Sequence, residues 1–210
     1  MFTGIIKGVA TVLSINKKSS KYYKCYFFMP NFFLKGIHIG DSISNNGCCL
    51  TIIKIFKNIA KFHIINETYK KTNLKFLKKN DLVNVERAAR FNDEIGGHIV
   101  SGHIITTAKI IKIFKSKKYL KFLLKLNNKF IKYIFYKGFI CLDGVSLTVG
   151  KIVKNCFYVR IIPETFLRTN FMFRKVNDFI NIEIDSMTQI IVDTCKSFFK
   201  KKHNFLNFHN

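Results

Sequence analysis

Two short stretches of the chain combine a glycine turn with a side chain that can do chemistry. Their sequences are "NNGCCLTI" (45–52) and "LDGVSLTV" (142–149). A glycine permits turn geometry that a Cβ would oppose, and an apolar, strand-like run follows each turn. Two residues after the glycine stands Cys49, a soft nucleophile, or Ser146, a hydroxyl donor and acceptor. A single such stretch is more often a structural turn, but its repetition with a coordinated change favours two related ligand sites.

Further polar residues gather in the second half of the chain. His103 directly follows the Ser-Gly that opens the second copy, where the first copy has Ile5. Histidine titrates near neutral pH, so His103 is a candidate for proton transfer, although a lone histidine is more often structural. Lys137 and Asp143 flank the second glycine turn, and Asp185 replaces an alanine of the first half. The two histidines of "GGHIVSGH" share neither a helix face nor a strand face, so no metal pair is predicted.

The elements that must position these residues come in two copies of one unit. A shift of 97 positions places the first glycine turn on the second and carries "DLVNVE" (81–86) onto "DFINIE" (178–183). A shift of 98 carries "TGII" (3–6) onto "SGHI" (101–104). Three acidic pairs also coincide at the first shift, namely Asp81/Asp178, Glu86/Glu183 and Glu67/Glu164. The chain therefore consists of two homologous halves.

Each half is built from short runs rich in β-branched and aromatic residues, such as "KYYKCYFF" and "FINIEI". Several short strands without a long amphipathic helix predict a small β-barrel or sandwich for each half, and hence an all-β class. The predicted domains are 1–97 and 98–186, which meet near Gly96-Gly97. A C-terminal helix is predicted over 187–202, followed by a tail at 203–210. The apolar stripe of this helix indicates either self-association or packing on its own barrel.

The composition argues against several classes of protein. The net charge is +24, but only five of the 36 basic residues are Arg, so a Lys-rich surface is favoured over a specific nucleic-acid site. The six cysteines form no CxxC pair, which argues against a zinc site or a disulfide framework. Reduced thiols fit a cytoplasmic protein. No apolar stretch reaches the ~18 residues of a membrane span, and the start has no secretory pattern.

Longer stretches are similar to a known family. They are "MFTGII", "NNGCCLT", "NVERAARFNDEIGGHIVSGH", "YKGFICLDGVSLTVG", "IPET" and "VNDFINIEID", and the similarity runs from Met1 to about Thr194. Together they resemble the riboflavin synthase family, enzymes with a duplicated lumazine-binding barrel. The resemblance implies two six-stranded Greek-key barrels in tandem, a C-terminal helix that assembles a homotrimer, and a transferase that needs neither metal nor cofactor.

The reaction that the resemblance implies is a dismutation of two 6,7-dimethyl-8-ribityllumazine molecules. One molecule gives a four-carbon unit to the other, and the products are riboflavin and 5-amino-6-(D-ribitylamino)uracil. Donor and acceptor are the same compound, so a duplicated binding unit is a suitable scaffold. Because their roles differ, the two copies must also differ chemically.

The family pattern further implies that the first barrel of one subunit faces the second barrel of its neighbour, with substrate between them. Contacts from the first barrel would come from Gly4, Ile5, Ile6, Cys49, Leu50, Thr51, His63, Ile64, Ile65, Asn66, Glu67 and Thr68. Contacts from the second barrel would come from Gly102, His103, Ile104, Lys137, Ser146, Leu147, Thr148, Ile161, Ile162, Pro163, Glu164, Thr165 and Phe166.

Specific roles are expected for some of these residues. His103 would help to remove a proton from the C7 methyl group of the donor. Cys49 or Ser146 would activate or orient the acceptor at C7, by transient addition or by hydrogen bonding. The ring and its developing charge would be held by Ser42, Thr148 and Asp185. The ribityl chain would be oriented, or protons shuttled, by Lys137 with Asp143.

Two other functions compete with this interpretation. Antenna-type proteins of the same family bind one lumazine or flavin without catalysis, but this chain keeps the polar residues of its second half. An anion-binding β-barrel protein would rest on the basic charge alone, and such binding should disappear at ~0.15 M salt if the surface is merely basic. Association with lumazine synthase also remains open.

Overall fold

Short strands that alternate buried and exposed side chains wind into two closed antiparallel barrels of six strands each, followed by one long helix. The structure, a computed structural model, describes residues 1–19 and 21–207, with side chains described through residue 200. The predicted all-β class, with two Greek-key barrels in tandem and a C-terminal helix, is confirmed.

The two barrels have corresponding elements. The first is formed by β1 Gly8–Lys17, β2 Tyr22–Phe28, β3 Ser42–Asn45, β4 Cys48–Phe56, β5 Ile59–Ile65 and β6 Leu82–Arg87, with helix α1 Asn66–Lys71 and a 3₁₀ helix Asn73–Phe76 before β6. The second is formed by β7 Thr106–Lys115, β8 Leu120–Lys125, β9 Phe139–Leu142, β10 Val145–Val153, β11 Cys156–Ile161 and β12 Phe179–Ile184. It also contains a 3₁₀ helix Ile131–Tyr133, helix α2 Pro163–Arg168 and a 3₁₀ helix Asn170–Phe173.

Strand order shows the duplication directly. The first barrel closes in the order β1-β2-β5-β4-β3-β6, and the second repeats this order with the strands six places later in the chain. Non-consecutive neighbours such as β2 and β5 make the connection a Greek key. Along β2 and β11 every second side chain is buried, which is the period of a strand with one face on a core. Each barrel thus encloses its own apolar core.

The segments that precede the two barrels are exchanged. Ile6, just before the first barrel, belongs to the core of the second, whereas Ile104 packs against the core of the first. Between them Phe2 and Val100 form an antiparallel bridge, with reciprocal N–H to carbonyl distances of 2.7 and 3.0 Å. The predicted domains 1–97 and 98–186 each contain the six strands of one barrel, but the leading segment of each domain covers the opposite barrel.

A buried amide network joins the barrels with the same two-fold correspondence. Asn84 Nδ2 donates to the carbonyl of Asp143 at 3.0 Å, and Asn181 Nδ2 donates to the carbonyl of Asn46 at 2.8 Å. The backbone N–H of Asn170 donates to Asn84 Oδ1 at 2.7 Å, and the backbone N–H of Asn73, its counterpart in the first half, donates to Asn181 Oδ1 at 2.6 Å. Buried polar groups are costly unless they are paired, so this network fixes how the barrels dock.

The C-terminal helix α3, Ser186–Asn207, packs on the second barrel by one side. Val192 contacts that core, and Asp193 Oδ1 accepts hydrogen bonds from Lys132 Nζ at 2.9 Å and Tyr133 Oη at 2.7 Å. A wide apolar surface remains exposed, formed by Ile190, Ile191, Phe198 and Phe199. The predicted helix end at residue 202 is too early, because α3 continues to Asn207 and so includes the start of the predicted tail at 203–210. Residues 208–210 of that tail lie outside the described residues.

None of the helices in the described ranges is both long enough and apolar enough to cross a membrane.

Candidate functional site

On each barrel, the candidate catalytic and binding residues lie together on one surface. The first-barrel surface is the outer face of β3 and β4, with Ser42, Cys49 and Thr51, crossed by residues 100–104. Ser42 pairs with Thr51 across these strands. The neighbours of Cys49 in β4, Leu50 among them, point into the core, so the thiol lies on the outside.

The second-barrel surface is the equivalent outer face of β9 and β10, crossed by residues 2–6. It carries Phe139, Ser146 and Thr148. Phe139 pairs with Thr148, which occupies the place of Thr51 in the first barrel. An aromatic ring therefore stands where the first-barrel surface has the hydroxyl of Ser42, so the two surfaces share a scaffold but differ in chemistry.

A buried carboxylate holds residues 100–104 on the first-barrel surface. Glu183 accepts hydrogen bonds from the backbone N–H of Ser101 at 2.6 Å and of Gly102 at 3.0 Å. The carbonyl of Gly102 then accepts from the N–H of Cys49 at 3.0 Å. The segment is thus fixed between β12 and β4 directly beside the thiol.

The second-barrel surface is assembled in the same way. Glu86 accepts hydrogen bonds from Thr3 N at 2.7 Å, from Thr3 Oγ1 at 2.8 Å and from Gly4 N at 3.1 Å. The carbonyl of Gly4 accepts from the N–H of Ser146 at 2.9 Å. Burial raises the pKa of both glutamates, while the donated hydrogen bonds act in the opposite direction.

Both crossings require glycine. Gly102 has φ +83°, and a Cβ there would lie 2.5 Å from Cys49 Cβ. Gly4 has φ +76°, and a Cβ there would lie 2.6 Å from Ser146 Cβ. L-residues with a side chain rarely adopt this backbone conformation, so the close approach of each segment to the reactive side chain depends on these two positions.

The exchange corrects the predicted grouping of binding residues. Gly4, Ile5 and Ile6 were expected on the first barrel and lie on the second. Gly102, His103 and Ile104 were expected on the second barrel and lie on the first. Sequence shifts could not reveal this, because they show which segments correspond but not which barrel each segment covers. His103 therefore accompanies Cys49, and its charge helps to lower the pKa of Glu183 against the effect of burial.

The strand–helix corners at 63–68 and 161–166 lie beside these surfaces. β5 pairs with β4 at Phe62 and Ile52, so the corner after β5 runs along the part of β4 that carries the thiol. β11 pairs with β10 at Val159 and Val149, which gives the second corner the same position. These corners contain the other predicted binding residues, which are Ile64, Ile65, Asn66, Glu67, Thr68, Ile161, Ile162, Pro163, Glu164, Thr165 and Phe166.

His63, in the first corner, packs against Tyr22 with ring centroids 4.6 Å apart. Its Nε2 is buried and has no hydrogen-bond partner among the described residues. Burial lowers the pKa of His63, and nearby lysines lower it further. A neutral imidazole with an unused nitrogen suits a hydrogen bond to a bound ligand.

Two predicted catalytic residues, Asp143 and Asp185, lie elsewhere. Asp143 is fully buried between the barrels, where it accepts from Asn73 Nδ2 and Asn181 N at 2.8 Å each and pairs with Arg174. Because these partners occupy the Asp143 carboxylate, Asp143 does not have the predicted role of orienting a ribityl chain or shuttling protons with Lys137. Lys137 is exposed, with Nζ 5.6 Å from the ring centroid of Tyr136.

Asp185 was expected to hold ring and charge, and it caps the C-terminal helix instead. Its Oδ2 accepts from Thr188 N and Thr188 Oγ1, both at 2.8 Å. Such a cap satisfies a backbone donor at a helix start. Its charge still acts on the site, because it raises the pKa of His98 against the larger, lowering effect of burial.

His98 is a residue at the site that the sequence did not indicate. Its Nδ1 lies 2.6 Å from Ser146 Oγ, and its ring stacks on Phe139 with centroids 5.1 Å apart. The sequence showed only that its spacing from His103 excludes a metal pair. The two residues of the contact are 48 positions apart, so no local pattern could have found it.

Comparison with known proteins gives consistent results. A sequence model described as "Lumazine binding domain" matches residues 3–88 and again 101–185. Riboflavin synthase of Buchnera aphidicola subsp. Schizaphis graminum (strain Sg) is 48% identical over 202 residues, 96% of this chain and 97% of that protein. Riboflavin synthase of Escherichia coli (strain K12) is 45% identical over 208 residues, 99% of this chain and 97% of that protein.

Solved structures of LumP share the fold. The complex with 6,7-dimethyl-8-(1'-D-ribityl) lumazine has a TM-score of 0.81 at 22% identity, and the complex with riboflavin has 0.83 at 23%. Each alignment covers 89% of this chain and 100% of the LumP chain. At this identity the similarity establishes the double-barrel architecture.

Proposed function

The chain belongs to the riboflavin synthase family, with two lumazine binding domains, and we propose that it is a transferase that converts two 6,7-dimethyl-8-ribityllumazine molecules into riboflavin and 5-amino-6-(D-ribitylamino)uracil. The observation that carries the proposal is the pair of surfaces with one scaffold and different chemistry. Cys49 and His103 stand at the first, and Ser146 and His98 at the second. One compound can bind to both, and the different side chains let one copy give carbon and the other receive it.

Alignment of the two bound rings supplies much of the catalysis. Holding two reactants in the correct geometry is worth roughly 7–11 kcal/mol. The crossing segments support this role, because each is fixed by a buried glutamate at one end and by a strand backbone at the other. The ligand surfaces are therefore preformed.

Within one chain both surfaces stay open to solvent, since Thr51 and Thr148 are exposed. Each surface therefore needs a cover, which the surface of a second protomer supplies. The protein forms a homotrimer in which the first-barrel surface of one protomer faces the second-barrel surface of the next. Head-to-tail contacts close into a ring when the rotation between neighbours closes, as it does in a trimer. The exposed apolar residues of α3, Phe198 and Phe199 included, are buried in the assembly.

Roles follow from the corrected grouping. His103 removes a proton from the C7 methyl group of the lumazine on the first-barrel surface, beside Cys49, which orients that ring. Ser146 orients the second lumazine. Ser42 and Thr148 hold the ring edges, and the exposed Lys137 reaches the ribityl chain. Asp143 has no part in this scheme, because its carboxylate is enclosed between the barrels.

The test is incubation of the purified protein with 6,7-dimethyl-8-ribityllumazine, followed by riboflavin fluorescence and by chromatography of both products. One riboflavin should form for every two lumazines consumed. Cys49→Ser should slow single turnover, and Cys156→Ser, at the far end of β11, should not. Tight lumazine binding without riboflavin would refute catalysis and identify an antenna-type protein. Normal single turnover by both Cys49→Ser and His103→Gln would refute the roles given to those residues.

A further inference from the structure

The contact between His98 and Ser146 is flanked by an aromatic ring and by a closely packed backbone segment. His98 is 8% exposed as a residue, and its ring stacks on Phe139 at an interplanar angle of 19°. The preceding Gly97 lies directly on the same strand, where a Cβ would be 2.7 Å from Ser146 Cβ and 2.2 Å from the carbonyl of Thr3. Ring and backbone thus flank the imidazole, whose Nδ1 lies 2.6 Å from Ser146 Oγ.

The protonation of this imidazole decides which hydrogen bonds remain for a ligand. Burial lowers the pKa of His98 from its ordinary value of 6.5, and the opposing charge of Asp185 has a smaller effect. The ring is therefore neutral at pH 7. The other groups packed on it, Phe139, Gly97 and Ser146, carry no charge. A neutral ring with an unprotonated Nδ1 accepts the hydroxyl hydrogen of Ser146 and leaves the lone pairs of Oγ free.

We propose that His98 is a positioning residue that holds the Ser146 hydroxyl as a hydrogen-bond acceptor toward the lumazine on the second-barrel surface. This inference rests on the proposed function and deepens it. With the hydroxyl hydrogen committed to Nδ1, Oγ presents lone pairs to the ring or to a water beside it. Protonation of His98 reverses the direction of the bond, because Nδ1–H must then donate to Oγ. The hydroxyl hydrogen then turns toward the ligand, and the recognition of the ligand changes.

Among the described residues, no hydrogen bond joins a histidine to the Cys49 thiol in the way that His98 meets Ser146, and at the shift of 98 that relates the leading segments Met1 corresponds to Ile99 rather than to His98. The copies thus differ in a second way besides the exchange of Cys49 for Ser146. At the second-barrel surface, Ser146 has His98 as its imidazole partner. At the first-barrel surface, His103 lies on the crossing segment and is exposed. The two lumazines therefore meet groups of different hydrogen-bonding character.

The experiment compares His98→Asn, His98→Ala and the control His38→Asn, since the His38 side chain is 83% exposed. Asparagine places a polar atom where Nδ1 stood but does not titrate. For each variant, kcat and KM are measured from pH 5 to pH 8, and circular dichroism and sedimentation verify fold and assembly. A proton-handling residue typically contributes on the order of a hundredfold, and a positioning partner less.

We expect His98→Ala to lower kcat about tenfold or more at pH 7.5, with KM changed less than about threefold. His98→Asn should recover most of the rate at that pH and should show a smaller fall in kcat/KM on the acid side than the unchanged protein. His38→Asn should match the unchanged protein throughout. Unaltered kcat in His98→Ala, or a His98→Asn profile that superimposes on the unchanged one, would overturn the proposal.

Failure of the proposed function has a different signature. If the unchanged protein makes no riboflavin, lumazine binding is titrated by fluorescence over the same pH range. A pH dependence present in the unchanged protein and absent in His98→Asn would then still support the coupling of His98 to Ser146. Identical binding profiles in the two proteins would refute it.

Discussion

The ion pair at the barrel junction can be exchanged for the residues that the first repeat uses at the same place. Asp143 and Arg174 correspond, at the shift of 97, to Asn46 and Leu77. Asn46 Oδ1 accepts from Asn84 N at 2.9 Å, just as Asp143 Oδ1 accepts from the backbone N–H of Asn181. The charge pair is thus a local replacement of neutral residues within a shared framework. The variants to compare are Asp143→Asn, Arg174→Leu and the double substitution.

The single substitutions should each be strongly destabilising. In Asp143→Asn the amide nitrogen faces a guanidinium whose side chain is only 15% exposed, and an uncompensated charge of this kind costs about 3–5 kcal/mol. Arg174→Leu leaves the fully buried carboxylate of Asp143 with neutral donors only, at a similar cost. Burial already raises the pKa of Asp143. Without Arg174 this pKa rises further, so the Arg174→Leu variant should regain stability as the pH is lowered from 8 to 5.

The double variant should be close to the unchanged protein, within about 1 kcal/mol, because a buried ion pair can be replaced by neutral residues at little cost. The measurement is the free energy of unfolding in urea at pH 7, at one protein concentration for all four proteins. A coupling energy of several kcal/mol is expected. If the double substitution costs the sum of the two single ones, within about 0.5 kcal/mol, the residues are independent and the argument is refuted.

Three further predictions concern the site and its assembly. Gly102→Ala should weaken lumazine binding at the first-barrel surface and lower the free energy of unfolding by about 2–3 kcal/mol. The control Gly36→Ala, also at positive φ but with no atom near the added Cβ, should lower it by only about 1 kcal/mol. Equal losses in urea unfolding would count against the steric argument. Glu183→Gln should be less destabilising at pH 7 than at pH 5, because burial raises the pKa of Glu183. The stabilising effect of Glu183 is complete below the ordinary glutamate pKa of 4.5 and is lost as the pH rises through the folded-state pKa. Urea unfolding at both pH values tests the sign of this difference. Phe198→Asp should make the assembly dissociate on dilution in sedimentation velocity, and an unchanged sedimentation coefficient would exclude α3 from the contact.

The sequence predicted the architecture because the relevant signals are local and repeated. Runs such as "KYYKCYFF" alternate side chains with a period of two, and the same strand order follows from the duplication at a shift of 97. The surfaces around Cys49 and Ser146 were also found, since a glycine turn followed by a reactive residue occurs twice. Local chemistry and repetition together were sufficient for these features.

The remaining features depend on contacts between distant residues. Nothing near Gly102 indicates that its carbonyl meets Cys49, and nothing near His98 indicates Ser146. Asp143 resembled a functional carboxylate because its partner Arg174 lies 31 positions away. Asp185 is different, because an Asp directly before a helical pattern is a local capping signal that sequence analysis can recognise.

The crossed leading segments also limit how far the two halves are independent. Ile6 packs in the core of the second barrel and Ile104 packs against the core of the first, so a half cut from the chain would keep its six strands but lose the segment that covers its reactive face. Each half is therefore complete only when the other is present.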